Sequence, residues 1–158
     1  SKRKNIALST AIFTLAFCVP LLFNGSQIIT GSIINTLLFV SAAKFSKRTL
    51  PFIAVIPSLG AVSNGILFGP FTIYLVYFLP FIWMGNYLLM RIAKNSNILL
   101  AAFTKSVFLY SVAYVFVSFQ VVPKVFLTAM GVLQFVTALI GGIFAIGILK
   151  YILKPAHE

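Results

Sequence analysis

The sequence predicts an all-α integral membrane protein: a bundle of six transmembrane helices with the N-terminus and C-terminus cytoplasmic. Three observations carry that reading. Hydrophobic residues make up 61% of the 158 residues and charged residues only 8%, a composition that cannot supply the polar shell a soluble domain needs. The apolar residues fall in continuous runs near the length that crosses about 30 Å of hydrocarbon. Twelve Lys and Arg oppose a single acid, Glu158, and stand in short clusters between those runs. Continuous runs, rather than alternating ones, mean helices and not a barrel.

Taken in order, the chain opens on Lys2-Arg3-Lys4 and an apolar run, the pattern of a secretory signal. The run is long for a signal and the remainder is equally apolar, so it reads as a first transmembrane helix over about 5–23. LAFC at 15–18 makes a poor lipoprotein cleavage box, because the bulky Phe17 precedes Cys18. NGSQ at 24–27 is a turn, and helix 2 runs over about 28–43 to the basic loop KFSKRT. Pro51 suits the first turn of helix 3, where a missing N–H costs nothing. Pro51 to Ser63 spans roughly 20 Å, too short to cross, so helix 3 is expected over 51–68 with Gly69-Pro70 as the turn. Helix 4 follows over 71–90 and is closed by RIAKNSN. Helix 5 covers 97–120, and VVPK leads into helix 6 over 125–153. The whole of 1–158 reads as one membrane domain. LPFI occurs at both 50–53 and 79–82, but at different depths, so it marks no repeat.

The charges test this layout. Six spans put Lys2, Arg3, Lys4, Lys44, Lys47, Arg48, Arg91, Lys94, Lys150 and Lys154 on one side and Lys124 alone on the other. Lys and Arg concentrate in cytoplasmic loops, so that side is cytoplasmic and suits anionic lipid headgroups. The net charge of +11 is therefore a topology signal, not a nucleic-acid footprint.

Absent residues exclude most chemistry. No acid lies in the membrane region, and the one histidine, His157, is in the tail. Carboxylate pairs, zinc-protease motifs, haem ligation and nucleophilic triads all lack partners. No enzyme activity, metal or cofactor is expected, and a proton- or sodium-coupling carboxylate is missing too. A single cysteine, Cys18, rules out an internal disulfide.

What remains is a polar and aromatic set in the outer half. Ser63 and Asn64, with Gly65, lie about one turn from the end of helix 3, where irregular backbone must face protein or a cavity. They are candidates for the rim of an outward pocket, or else an ordinary helix end capped by asparagine and glycine. Asn24, Gln27, Thr30 and Asn35 continue the set on helices 1 and 2. Tyr74 and Tyr77 on helix 4 follow, beside the carbonyl of Val76 that Pro80 frees. Tyr110, Tyr114 and Ser118 share one face of helix 5. Substrate-binding candidates are thus Asn35, Ser63, Asn64, Tyr74, Tyr77, Tyr110, Tyr114 and Ser118, with interfacial anchoring as the competing role of each tyrosine. Asn86 and Gln134 are read as interhelical hydrogen-bonding groups. Lys105 falls within helix 5. It is expected to snorkel to the cytoplasmic headgroups, the alternative being an anionic ligand or a carboxylate on a partner protein. Small residues at four-residue spacing permit close helix contact. Ala7 and Ala11 on helix 1, and Gly141, Gly142 and Ala145 on helix 6, are candidates for packing inside the bundle or against a partner helix.

Six helices in about 160 residues, no coupling groups, and the spaced pair Ala7/Ala11 resemble the substrate-binding S component of energy-coupling-factor transporters. That resemblance implies a subunit in the cytoplasmic membrane of a prokaryote. It would capture a small vitamin-like solute from outside and dock on a transmembrane coupling subunit with two ATPases. A non-catalytic accessory subunit and an oligomeric pore are the alternatives.

Overall fold

The computed structural model describes residues 2–65 and 69–153, and these are all helical or in turns, with no strand among them. The helices are α1 (Lys2–Leu22), α2 (Gln27–Lys44), α3 (Leu50–Asn64), α4 (Leu75–Asn95), α5 (Ile98–Ser118), α6 (Val125–Met130) and α7 (Val132–Gly147). A 3-10 turn, Gly69–Tyr74, leads into α4, and a π turn, Ile148–Ile152, closes α7. Five segments are long and apolar enough to cross a membrane: Arg3–Leu22, Gln27–Lys44, Gly69–Asn95, Ile98–Ser118 and Val125–Ile152. Such a set belongs to a multi-pass membrane protein.

Helix ends follow local chemistry. Ser26 caps α2 by accepting from the Ile29 N–H at 3.3 Å, and Asn97 caps α5 by accepting from the Leu100 N–H at 2.8 Å, each satisfying a donor with no intrahelical partner. Helix 3 departs from expectation. It leaves helical geometry at Gly65, whose φ of 74° and N–H bond to the Val62 carbonyl form the glycine-capped end. The expected end at Phe68 lies outside the described residues. At about 22 Å, α3 is shorter than a full span, and helix 4 gains the preceding 3-10 turn instead. Helix 4 also runs past Met90 to Asn95, and helix 5 stops at Ser118, where Gln120 takes a left-handed φ of 58°. The expected single helix over 125–153 is interrupted at Gly131, with φ −104° and ψ −100°, producing the short α6.

The bundle exposes apolar side chains to lipid and buries, within a mostly apolar interior, a smaller set of polar ones. Ile33, Phe52, Val107 and Ile143 are exposed, whereas Thr30, Asn35, Asn86, Lys105 and Thr137 are buried. Lipid accepts the first set and forces the second to find partners inside. α2 lies at the centre, packed on α7, α4 and α1; α5 packs on α4 and α7, and α1 chiefly on α3. One apolar cluster, around Leu38, Leu50, Leu89 and Ala102, fills one half. A second, around Phe78, Leu109, Ala113 and Phe126, fills the other, with Phe78 stacked on Phe126 at 5.2 Å.

Basic side chains fasten one end. The Lys94 ammonium donates to the carbonyls of Ala42 (3.0 Å) and Phe45 (2.8 Å), and Lys44 donates to the carbonyl of Leu153 (2.9 Å). These bonds occupy carbonyls that helix C-termini leave open. They also gather the ends of α2, α4 and the π turn at one pole.

Candidate binding cavity

A cavity of about 110 Å³ lies within the bundle, with walls from α1 through α7. α2 supplies most of its polar edge, because Gln27, Thr30, Gly31 and Ile34 recur at helical spacing and Asn35 follows on the same side. Gln27 opens α2 and Asn35 stands eight residues on, so the lining extends about 12 Å along the helix axis. Pro57, Ser58 and Ala61 enter from α3, Leu75, Leu79, Ile82 and Asn86 from α4, Lys105 from α5, and Met130 and Gln134 from the last segment.

At the inner end, three side chains form a chain of hydrogen bonds. Lys105 Nζ donates to Asn35 Oδ1 at 2.8 Å, Asn35 Nδ2 donates to Thr137 Oγ1 at 3.1 Å, and Thr137 Oγ1 donates to the Leu133 carbonyl at 2.8 Å. The sequence of donors fixes the amide: its oxygen must face the ammonium. Lys105 is 3% exposed and Asn35 2%. The expected snorkelling of Lys105 is therefore wrong. Its helical position turns it toward α2, and the side chain ends on Asn35 instead of reaching a headgroup. A lysine within a span costs on the order of 3 kcal/mol. One neutral amide compensates only part of that, and the chain has no acid but Glu158.

The remaining polar groups tie helices together. Asn86 Nδ2 donates to the Ala54 carbonyl at 2.9 Å, and Trp83 Nε1 donates to Ser58 Oγ at 2.6 Å, joining α4 to α3. Gln27 Nε2 and Gln134 Nε2 each donate to the Ala129 carbonyl at 3.3 Å, two residues before the break at Gly131. Asn86 and Gln134 thus make the bonds expected of them, and both also line the cavity. Thr30 Oγ1 is buried and makes no hydrogen bond among the described residues; away from the cavity, Ser32 Oγ shares that condition.

Of the substrate-binding candidates, Asn35 alone lines this cavity. Ser63 is exposed. Asn64 Nδ2 donates to the Pro20 carbonyl at 3.0 Å and to Asn24 Oδ1 at 3.1 Å, holding the ends of α1 and α3 together. Tyr74 packs edge-on against Phe126 at 6.0 Å and near Phe71 at 6.4 Å. Tyr77, Tyr110 and Tyr114 are exposed, and Ser118 is exposed with its hydroxyl bonded to the Tyr114 carbonyl at 2.7 Å. The reason is angular. Five residues at about 100° each place Tyr110 roughly 140° around the helix from Lys105, so one face of α5 cannot present both. Inward go Ala102, Lys105, Leu109 and Ala113; outward go Phe103, Val107, Tyr110 and Tyr114. Lys105, Ser58 and Thr137 were not among the candidates. Lys105 was legible as the only charge in a span, and small residues at 101, 102, 106 and 113 mark its face as the packed one.

The small residues divide. Ala7 and Ala11 are exposed on α1. Gly141, Gly142 and Ala145 are buried within the bundle, which removes them from any external helix-packing face. A Cβ at Gly141 would lie 2.7 Å from both the Thr36 nitrogen and the Asn35 Cβ, so glycine there lets α7 approach α2 closely enough for the Asn35–Thr137 bond. Gly142 packs on Ile98. A wider groove of about 880 Å³ at the basic pole carries Lys94 as its charged group, and that ammonium is already held by two carbonyls. No His, Cys, Asp and Glu cluster capable of holding a metal occurs among the described residues. Comparison with protein-family models, curated proteins and solved structures finds no match to the chain.

Proposed function

We propose that this protein is a membrane-embedded substrate-capture subunit, of the kind found as S components of energy-coupling-factor transporters. It takes a small vitamin-like solute from the outer side and relies on a partner ATPase complex for energy. The observation that carries the reading is a cavity in the bundle whose largely apolar lining includes Gln27, Thr30, Asn35, Asn86, Lys105 and Gln134. Side chains of this kind, converging from several helices, suit solute binding between transmembrane helices.

The proposed topology has six crossings in the cytoplasmic membrane of a prokaryote, α3 being the short one, with both termini cytoplasmic. The basic pole at Lys44 and Lys94 supports that orientation, and anionic lipid headgroups would meet it. The cavity lies between the first residue of α2 and its middle, in the half opposite Lys44, which supports loading from outside. The volume of about 110 Å³ is below the roughly 300–1,000 Å³ of drug-sized sites, so the solute is small. Catalysis, a metal and a cofactor have no place in this proposal. Ala7 and Ala11, exposed on α1, support docking on a transmembrane coupling subunit. A purely accessory subunit would share that face but would need no cavity.

Native mass spectrometry of protein released from nanodiscs tests the reading. The wild type is expected to carry a small-molecule adduct that Ala61→Leu, which fills the cavity, does not carry. An empty wild type in every preparation would favour the accessory subunit.

A further inference from the structure

We infer that the inner end of the cavity binds a carboxylate, and that the solute is a small monocarboxylate with a short apolar tail. This rests on the capture reading above and narrows it to a substrate class. Lys105 brings an ammonium-bearing side chain into the bundle, and the neutral Asn35 oxygen at 2.8 Å is its one hydrogen-bond acceptor among the described residues. No acid occurs among the described residues, the single acid of the sequence being Glu158. A buried cation without an anion is strongly disfavoured, and a carboxylate on the occupant would supply the complementary charge. A second, independent feature lies on the same wall. Thr30 Oγ1 is buried without a partner, in a residue only 4% exposed that lines the cavity. Its hydroxyl can donate to an acceptor on the solute.

The number of charges limits the ligand. One cation neutralises one anion, and the other polar lining groups are amides and hydroxyls. A dicarboxylate or a phosphate dianion would leave a second charge unpaired at low dielectric. The lining extends about 12 Å along α2 and includes Ile34, Leu79, Ile82 and Met130. A bare halide would leave that apolar lining without contact, whereas a short aliphatic tail packs against part of it. A carboxylate on a partner protein is disfavoured by position, because Lys105 is enclosed and 3% exposed.

The test uses the full chain in a neutral detergent, with butyrate, butyramide, succinate and chloride as probes, read by calorimetric titration. Butyrate is expected to bind about 10- to 100-fold more tightly than butyramide, the range that one charge-assisted hydrogen bond supplies. Lys105→Met is expected to lose the preference while melting at a higher temperature than the ligand-free wild type, since it removes an uncompensated charge. Thr30→Val, of the same shape, is expected to weaken butyrate several-fold without loss of stability. Equal binding of butyramide and butyrate overturns the carboxylate assignment and leaves the capture reading standing. A preference for chloride or succinate over butyrate overturns the monocarboxylate class. Absence of binding by all four probes, with no adduct on the native protein, overturns both.

Discussion

Asn35 has two duties, accepting from Lys105 and donating to Thr137, and each end of its amide has a different partner. Asn35→Ala leaves the ammonium with no acceptor and is expected to cost about 1–3 kcal/mol, measured by reversible unfolding in mixed micelles. In the Lys105→Met background the same substitution should cost clearly less, because the group it served is gone. Additive losses in that cycle would mean that the two side chains are not coupled. At this scale the sequence was half legible. Lys105 could be seen as an isolated charge in a span, and Asn35 as one of the polar residues of the outer half. Their pairing was not legible, because 70 residues separate them and nothing local specifies which face of α5 meets α2. The tyrosines misled for the opposite reason: Tyr110 and Tyr114 do share a face, but periodicity alone does not distinguish a lipid-facing stripe from a lining one.

Between elements, the cavity depends on how closely α7 approaches α2. Gly141→Ala puts a methyl group against backbone at Asn35 and Thr36 and is expected to destabilise by about 1–3 kcal/mol. It should also stretch the Asn35–Thr137 bond and weaken ligand binding. Gly147→Ala, where a Cβ meets open space, is the control and should be neutral or slightly stabilising. At the basic pole, Lys94→Met uncovers the carbonyls of Ala42 and Phe45 and should lower the melting temperature without changing affinity for the solute. Helix positions followed from apolar run lengths; the caps at Ser26 and Asn97 that start α2 and α5 were not read in the sequence. Two elements did not follow. α3 ends at Gly65 because a left-handed glycine cap outweighed the length needed to cross, and the chain recovers length in the 3-10 turn before α4. The last helix breaks at Gly131, where the freed Ala129 carbonyl is taken by Gln27 and Gln134; a lone glycine in an apolar run gives no sign of such long-range acceptance.

For the molecule as a whole, composition and charge pattern were enough to read an all-helical membrane bundle, since lipid leaves few alternatives for so apolar a chain. The proposed orientation is open to impermeant labelling on a Cys18→Ala background. Lys47→Cys should react only from the cytoplasmic side and Ser63→Cys only from outside; the reverse pattern would invert the topology. Composition could not locate the site, because most of the buried polar groups hold helices together. In the proposed reading the solute site is where Lys105 and Thr30 line the cavity with fewer partners among the described residues than they can use. Equilibrium dialysis of radiolabelled butyrate tests that claim most directly. One saturable site per chain in the wild type, absent in Ala61→Leu, is the predicted result. No binding to the wild type, or binding that Ala61→Leu leaves intact, would contradict it.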